Sequence, residues 1–150
     1  MADTVAIENA HIGSRNFSGR PSKFNKDGNK DFVVFLDHDQ AVQMQEDGWN
    51  IRWLDPRNPE DSPVGTLRVA VSYRNIPPKI MMVTSRNKML LGEDDVSILD
   101  TADIQNVDII IRPYNWSVNG GSGIKAYLKS MYVTIQEDEF AAKYDDIPLA

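Results

Sequence analysis

The sequence predicts a mainly β domain, a small β-barrel or sandwich with one or two short helices. Short runs of β-branched and aromatic residues recur along the chain, and several of them alternate between apolar and polar positions. Clusters of glycine, proline, asparagine and aspartate separate these runs. The 150 residues, 41% of them hydrophobic, are enough for one compact domain with a core and too few for two domains of ordinary size.

In the first half of the chain, the clearest helix signal begins at Asp37. This residue is a suitable N-cap, Gln40 three residues later completes a capping-box spacing, and Gly48 can end the helix in a left-handed conformation. A short helix is therefore predicted over 38–47. The strands predicted around this helix are 4–12, 32–36 and 49–53, with a polar, basic loop over 13–30.

The second half of the chain is predicted to contain four further strands. The alternation from Leu67 to Tyr73 indicates a half-buried strand, and an acidic stretch over 93–103 predicts a second short helix. The glycine-rich segment 119–123 joins the last two strands. The four predicted strands are 67–73, 80–83, 107–114 and 124–135, and the predicted loops between them include 55–65 and 84–92.

The net charge of −6 is unevenly distributed along the chain. Residues 137–150 carry five acidic side chains and one lysine, and residues 93–108 carry six acidic side chains and no basic one. The remainder has 15 basic against 11 acidic side chains, a net charge of +4, and 109–136 contains no acidic residue. This segregation predicts a mildly basic domain over 1–136 followed by an acidic tail over 137–150.

The sequence carries few signs of catalysis. It has no cysteine, and His11 and His38 stand apart without a metal-binding or catalytic spacing. No apolar run is long enough to span a membrane, and the N-terminus lacks a signal-peptide pattern. We therefore expect a soluble intracellular protein that is not an enzyme, requires no cofactor or metal, and does not contact membranes. The clustered carboxylates of 93–108 leave open a magnesium site, although such runs usually lie on solvated helix starts.

The last two predicted strands bring aromatic and basic side chains together. If Gly120 and Gly121 form a two-residue turn, three facing pairs share one side of the hairpin. Cations would be costly on a buried face, so this face is predicted to be exposed. Aromatic rings that stack on bases, beside cations that contact phosphates, are typical of single-strand binding. The predicted pairs are Arg112 with Lys129, Tyr114 with Tyr127, and Trp116 with Lys125.

Other basic and aromatic residues fit the same chemistry, with a solvated loop or a core aromatic as the alternative in each case. The further predicted DNA-binding residues are Arg15, Phe17, Arg20, Lys23 and Phe24 in the basic loop, Arg52, Trp53 and Arg74 on or beside strands, and Arg86 and Lys88 in the 84–92 loop.

Several stretches together resemble the bacteriophage single-stranded DNA-binding proteins with an OB-fold. They are RNFSG at 15–19, GWN at 48–50, NIPPK at 75–79, SRNK at 85–88, IRPYNW at 111–116, and IKAYLK at 124–129 followed by MYV at 131–133. The resemblance covers roughly residues 12–140. It implies a mainly β, OB-fold-type small β-barrel that binds single strands without sequence preference in phage replication or recombination.

The C-terminus carries a second resemblance. The end of the tail, Asp145, Asp146, Ile147, Pro148 and Leu149, is similar to the acidic tip of bacterial single-strand binding proteins. That tip docks into basic pockets of replication and repair enzymes, which implies protein partners for this tail. Leu149 stands where the tip has an aromatic residue, and Ala150 extends the end. An ordinary acidic tail is the alternative.

The sequence thus predicts a non-enzymatic protein that coats and protects single-stranded DNA in the cytoplasm of an infected host cell. Two alternatives remain open at this stage. One is a metal-dependent nuclease that uses the carboxylates of 93–108, and the other is a structural or interaction protein of the virion whose aromatic residues are all buried. The oligomeric state is not fixed by the sequence, and a dimer is compatible with it.

Overall fold

A computed structural model describes residues 4–23, 28–74, 76–84 and 87–136. Within these ranges the chain forms nine strands, one α-helix and one short 3-10 helix. In chain order the elements are β1 (Val5–Ile7), β2 (His11–Asn16), β3 (Lys30–Leu36), α1 (His38–Glu46), β4 (Ile51–Leu54), β5 (Val64–Val71), β6 (Lys79–Val83), β7 (Lys88–Leu91), the 3-10 helix (Val96–Asp100), β8 (Ile104–Val118) and β9 (Gly121–Ile135).

All nine strands belong to one sheet. Its main path runs β1-β8-β9-β5-β3-β2, with β4 paired to β5, β6 paired to β9, and β7 paired to β6. Most neighbours are antiparallel, but β9 pairs in parallel with both β5 and β6. The mainly β, OB-type fold is therefore confirmed. The sheet is not closed into a complete barrel, because β1 and β2 at the two ends of the path are not paired with each other.

Several predicted element boundaries were wrong for local reasons. The single strand predicted over 4–12 is divided into β1 and β2, because Asn9 adopts a left-handed φ of 53°. The predicted loop over 84–92 contains β7, whose residues pair with β6. The second short helix predicted within 93–103 is present as a 3-10 helix over Val96–Asp100. The last two strands extend to 15 residues each.

Helix α1 lies where the sequence predicts a helix, but its N-terminus differs from the predicted capping box. The Asp37 backbone carbonyl accepts the Ala41 N–H at 2.8 Å, while the Asp37 side chain makes no capping hydrogen bond. Gly48 ends the segment with a left-handed φ of 105°, as predicted. Ala41 lies directly over Gly65 of β5, where any side chain would collide with the Ala41 methyl group. Gly65 therefore allows α1 to pack closely on the sheet.

The core includes Phe17, which the sequence analysis had assigned to DNA binding. Phe17 is 0% exposed and stacks on Phe32, with ring centroids 5.3 Å apart and an interplanar angle of 22°. Its backbone N–H donates to Asp100 Oδ1 at 2.6 Å, so the 3-10 helix fixes this segment over the core. The assignment was wrong, because a ring enclosed on all sides cannot stack on a base.

We expect Phe17→Ala to lower the free energy of unfolding by about 3–5 kcal/mol, the usual cost of truncating a buried aromatic residue. Phe35→Ala is the matched control, because Phe35 is 39% exposed and its ring should contribute much less to stability. Urea unfolding followed by circular dichroism measures both values. Similar losses for the two variants would contradict a core role specific to Phe17.

Candidate nucleic-acid interface

The β8–β9 hairpin turns one residue earlier than the sequence analysis assumed. Val118 pairs with Gly121, so the turn consists of Asn119 and Gly120, and Gly120 has a left-handed φ of 94°. The predicted pairings were therefore wrong. In the structure Arg112 faces Tyr127, Tyr114 faces Lys125, and Trp116 faces Gly123. The register differs from the predicted one by two residues near the turn, and a shift of two preserves the face on which each of these side chains lies.

Lys129 lies outside this cluster of facing pairs. Ile110 pairs with Ser130 and Ile111 pairs with Leu128, so Lys129 is the extra residue of a β-bulge. Its side chain is exposed. The predicted pairing of Lys129 with Arg112 was wrong because the bulge removes Lys129 from the ladder.

The rings and cations of the hairpin contact one another. Tyr114 and Tyr127 form an edge-to-face pair with centroids 6.0 Å apart at 90°. The Arg112 guanidinium carbon lies 4.9 Å from the Tyr127 ring centroid, and Lys125 Nζ lies 5.1 Å from it. Both distances are within the range of cation–π attraction. Tyr127 is therefore held between two cations, while Tyr114 remains 53% exposed.

Trp116 presents a ring near the end of the hairpin. Its indole lies over Gly123, where a Cβ atom would come within 3.0 Å of the ring. Glycine at this position lets the ring lie flat on the opposite strand, and the indole is still 39% exposed. An exposed, supported aromatic face of this kind can stack on a nucleobase.

The inner part of the hairpin opens onto a groove of about 1440 Å³. Its walls come mainly from β2, β3, β5 and β9, which include the parallel bridge between Ala70 and Tyr127, and Trp116 of β8 also lines it. The groove is strongly basic, with six basic side chains against two acidic ones, a net charge of +4. The charged side chains that line it are Arg15, Arg20, Lys30, Arg68, Arg74 and Lys125, with Asp31 and Glu93.

Two of these cations form ion pairs inside the groove. Arg68 Nη1 lies 3.1 Å from Asp31 Oδ1, and Lys30 Nζ lies 3.7 Å from Glu93 Oε1. Arg68 is opposite Val33 and Asp31 is opposite Ala70, so the first pair is a diagonal contact between β3 and β5. Sequence analysis did not identify Lys30 or Arg68 as site residues. Lys30 falls at the end of the predicted loop over 13–30, and Arg68 alternates on its predicted strand like any solvent-facing residue.

The predicted residues of the first basic loop have different surroundings. Arg15 Nη1 donates to the backbone carbonyls of Leu99 and Ala102, at 2.9 Å each, and so connects β2 to the 3-10 helix and to the residues that follow it. Arg20 remains largely exposed at the groove, with its Nε 3.9 Å from Asp100 Oδ2. Lys23 is exposed but does not line the groove, and Phe24 lies outside the described residues.

The structure does not bring the other predicted residues into the groove, with the exception of Arg74. Trp53 donates its Nε1–H to Gln45 Oε1 at 3.1 Å and packs against His38, so its ring belongs to the α1–β4 contact. Arg52 is exposed on β4, and Lys88 is exposed on β7. Arg86 and the tail residues Asp145, Asp146, Ile147, Pro148 and Leu149 lie outside the described residues.

The carboxylates of 93–108 do not form a metal site. Asp100 accepts hydrogen bonds from the Phe17 backbone and the Ser18 hydroxyl, and Asp108 accepts one from the Asn9 backbone. Across the part of the chain that the structure describes, no three potential metal-ligating side chains lie close enough to hold an ion. The nuclease alternative therefore lacks the site on which it depended.

A comparison with models of known protein families shows which family the chain belongs to. One family model, described as "Putative phage ssDNA-binding domain", matches residues 1–150, the whole chain. The chain belongs to this family. The family resemblance stated from the sequence is confirmed.

Solved structures show that this phage ssDNA-binding domain shares its fold with a protein of that kind. The single-stranded DNA-binding protein from bacteriophage Enc34 gives a TM-score of 0.56 at 13% identity, covering 96% of this chain and 89% of that chain. The same protein in complex with ssDNA gives a TM-score of 0.58 at 13% identity, covering 92% of this chain and 89% of that chain. A search of curated protein sequences gave no significant match.

Within the described residues, no helix of this domain is long and apolar enough to cross a membrane.

Tyr73 is a further groove residue that sequence analysis did not assign to the site. Burial raises the pKa of the Tyr73 phenol to about 12, and the negative charge of Glu93 adds to the rise. The phenol oxygen is buried without a hydrogen-bond partner among the described residues. Tyr73 therefore remains a neutral hydrogen-bond donor throughout the physiological pH range.

The raised pKa of Tyr73 predicts a loss of stability in strong alkali. Its folded-state pKa of about 12 lies above the ordinary value of 10.0, so its contribution is fully present below pH 10 and is lost as the pH rises toward 12. Urea unfolding between about pH 9 and about pH 12 should show a steeper loss of stability for the wild type than for Tyr73→Phe, which cannot titrate. If stability falls equally steeply with pH in the wild type and in Tyr73→Phe, the raised pKa of Tyr73 is contradicted.

Proposed function

We propose that this protein coats and protects single-stranded DNA, largely without sequence preference, during phage replication or recombination. The observation that supports this function is a basic groove with a net charge of +4 that continues onto the exposed rings of Tyr114 and Trp116. The family to which the chain belongs indicates the same activity. Single-strand binding proteins combine these two features, a cationic groove for the backbone and rings for the bases.

The hairpin and the groove contribute different parts of the binding free energy. Bases stack on Tyr114 and Trp116, and stacking tolerates every sequence because each base has a π face. Lys125, Arg20 and Arg74 contact phosphates along the groove, so binding releases counterions and weakens with salt. Tyr127, fixed between Arg112 and Lys125, connects the two regions.

This function requires neither catalysis nor a cofactor. Binding neutralises phosphates and stacks bases without making or breaking covalent bonds, so we propose that the protein is not an enzyme. We propose the cytoplasm of the infected host cell as its location, because that is where phage DNA becomes single-stranded during replication.

The acidic segment forms the second part of this proposal. We propose that 1–136 is the binding domain and that 137–150 is a tail that recruits replication or recombination proteins. The tail carries a net charge of −4, and Ile147, Pro148 and Leu149 follow its last two acidic residues. A short apolar segment after acidic residues suits a basic-rimmed pocket on a partner.

The direct test is a fluorescence-anisotropy titration of the full chain with single-stranded DNA, duplex DNA and RNA oligonucleotides of equal length. We expect single-stranded DNA to bind more tightly than duplex DNA at low salt. Failure to bind any oligonucleotide would overturn the proposal and favour the virion structural protein considered from the sequence.

Trp116→Ala should weaken single-stranded DNA binding by about 1–3 kcal/mol, the usual contribution of one stacked base. The fold should be retained, because the indole is 39% exposed and lies over Gly123 near the end of the hairpin. Tyr132→Ala is the control with similar exposure, since Tyr132 is 40% exposed and does not line the groove. Equal affinities of Trp116→Ala and the wild type would show that this ring contacts no base.

Lys125→Gln should reduce the slope of log K against log salt concentration by about 0.7, the value for each phosphate that a cation neutralises on a single strand. Lys88→Gln removes the same charge outside the groove and should leave the slope unchanged. Titrations at four or more salt concentrations give both slopes. If the two variants change the slope equally, Lys125 acts only through overall charge.

A further inference from the structure

The face of the sheet that lines the groove continues beyond the groove. Pairing places residues in rows across the strands, and residues two apart along a strand lie on the same face. Asp31 is opposite Ala70, and Val33 is opposite Arg68, in two successive rows of this face. Asp31, Ala70 and Arg68 line the groove. The next row, two residues farther along β3, contains four residues that do not line the groove: His11, Phe35, Thr66 and Arg52.

Phe35 presents an exposed ring in this third row. The ring leans over Gly13 of β2, where a Cβ atom would come within 2.8 Å of Phe35 Cε2. Phe35 is 39% exposed, the same fraction as Trp116, whose indole also lies over a glycine of the neighbouring strand. The same arrangement, an exposed ring supported by a glycine, therefore occurs both at the hairpin and in the third row.

The charges of this face favour an anionic ligand. Arg52 is exposed, and its backbone carbonyl accepts the hydroxyl of the buried Thr66 at 2.8 Å. Thr66 separates Arg52 from Phe35, so their backbones are two strand spacings, about 10 Å, apart. Among the paired residues of the three rows, all of which the structure describes, Asp31 is the only acidic one. Its carboxylate is already paired with Arg68 at 3.1 Å.

The basic part of the face ends at the third row. β3 ends at Leu36 and β4 ends at Leu54. The residues that follow are Asp37 and Asp55, both of which are exposed. Exposed carboxylates repel phosphates at short range, so a bound strand is not expected to follow the sheet beyond this row.

We propose that the bound single strand leaves the groove past Arg68, stacks one base on Phe35 and places a phosphate beside Arg52. This inference rests on the proposed function, because the strand reaches the third row only through the groove. A base can stack on a supported ring of this kind whatever its sequence. The strand is then held by rings at both ends of its path, with Tyr114 and Trp116 at one end and Phe35 at the other, and by cations between them.

Replacing the Phe35 ring tests the stacking contact, in anisotropy titrations of the full chain with an all-thymine oligonucleotide long enough to reach maximal wild-type affinity. Phe35→Ala and Phe35→Leu should each weaken binding about 5- to 150-fold, the range for one stacked base. Leucine keeps an apolar side chain over Gly13, so its loss of affinity reports the ring and not the packing. Phe35→Tyr keeps the ring and should bind like the wild type. Tyr132→Ala, which removes a ring of similar exposure outside the three rows, is the control.

Replacing the Arg52 guanidinium tests the phosphate contact. Arg52→Gln should reduce the slope of log K against log salt concentration by about 0.7, the value for one phosphate on a single strand. Lys88→Gln removes the same charge from β7 and should leave the slope unchanged. The decreases caused by Arg52→Gln and Lys125→Gln should add in the double variant, because the two cations contact different phosphates.

The outcomes distinguish this inference from the function on which it depends. If the wild type binds and Phe35→Leu binds equally well, the stacking contact is overturned and single-strand binding stands. An unchanged slope in Arg52→Gln would overturn the phosphate contact. If Phe35→Ala turns a dimer into a monomer in analytical ultracentrifugation without weakening DNA binding, this face joins two copies of the chain and the inference is overturned. Failure of the wild type to bind any oligonucleotide would overturn both the inference and the proposed function.

Discussion

The pairing of β8 with β9 is the constraint on which the rest of the fold depends. These two 15-residue strands form the longest ladder of the sheet, and the other strands connect to them. β1 joins the outer side of β8, while β5 and β6 join β9. At the base of the hairpin, buried residues such as Ile111 and Leu128 pack into the core. Near the turn the same strands have exposed side chains on both faces, so one continuous ladder anchors the fold and presents the rings that we propose stack on bases.

This arrangement explains how exposed aromatic rings are kept ordered. A free tyrosine on a surface would lose side-chain entropy when it stacks on a base. Here Arg112 and Lys125 contact Tyr127 from within the hairpin, and Tyr127 in turn supports Tyr114. The cations that we propose contact phosphates therefore also orient the rings. Each of these contacts in the free protein reduces the ordering that is required on binding.

The sequence allowed the local parts of this structure to be predicted and not the long-range ones. The face shared by Arg112, Tyr114 and Trp116 followed from the two-residue period of a strand, so it survived a two-residue error in register near the turn. Phe17 could not be assigned correctly, because its ring packs on Phe32 of another strand and its backbone is held by Asp100, which is 83 residues away along the chain. The groove could not be predicted either, since its cations come from four strands and two loops that are distant in the chain. The parallel pairing of β5 with β9 also has no turn signal in the sequence.

The distribution of charge explains how a chain with a net negative charge can bind an anionic ligand. The chain has a net charge of −6, yet the groove lining has a net charge of +4. Electrostatic interactions between exposed charges are screened over about 10 Å at 0.1 M salt, so the local charge determines whether a phosphate is attracted. Asp31 and Glu93 limit that attraction, because each is already paired with a groove cation in the free protein. In the proposed binding mode a phosphate competes with these carboxylates for Arg68 and Lys30, so stacking on the hairpin supplies a larger share of the binding free energy.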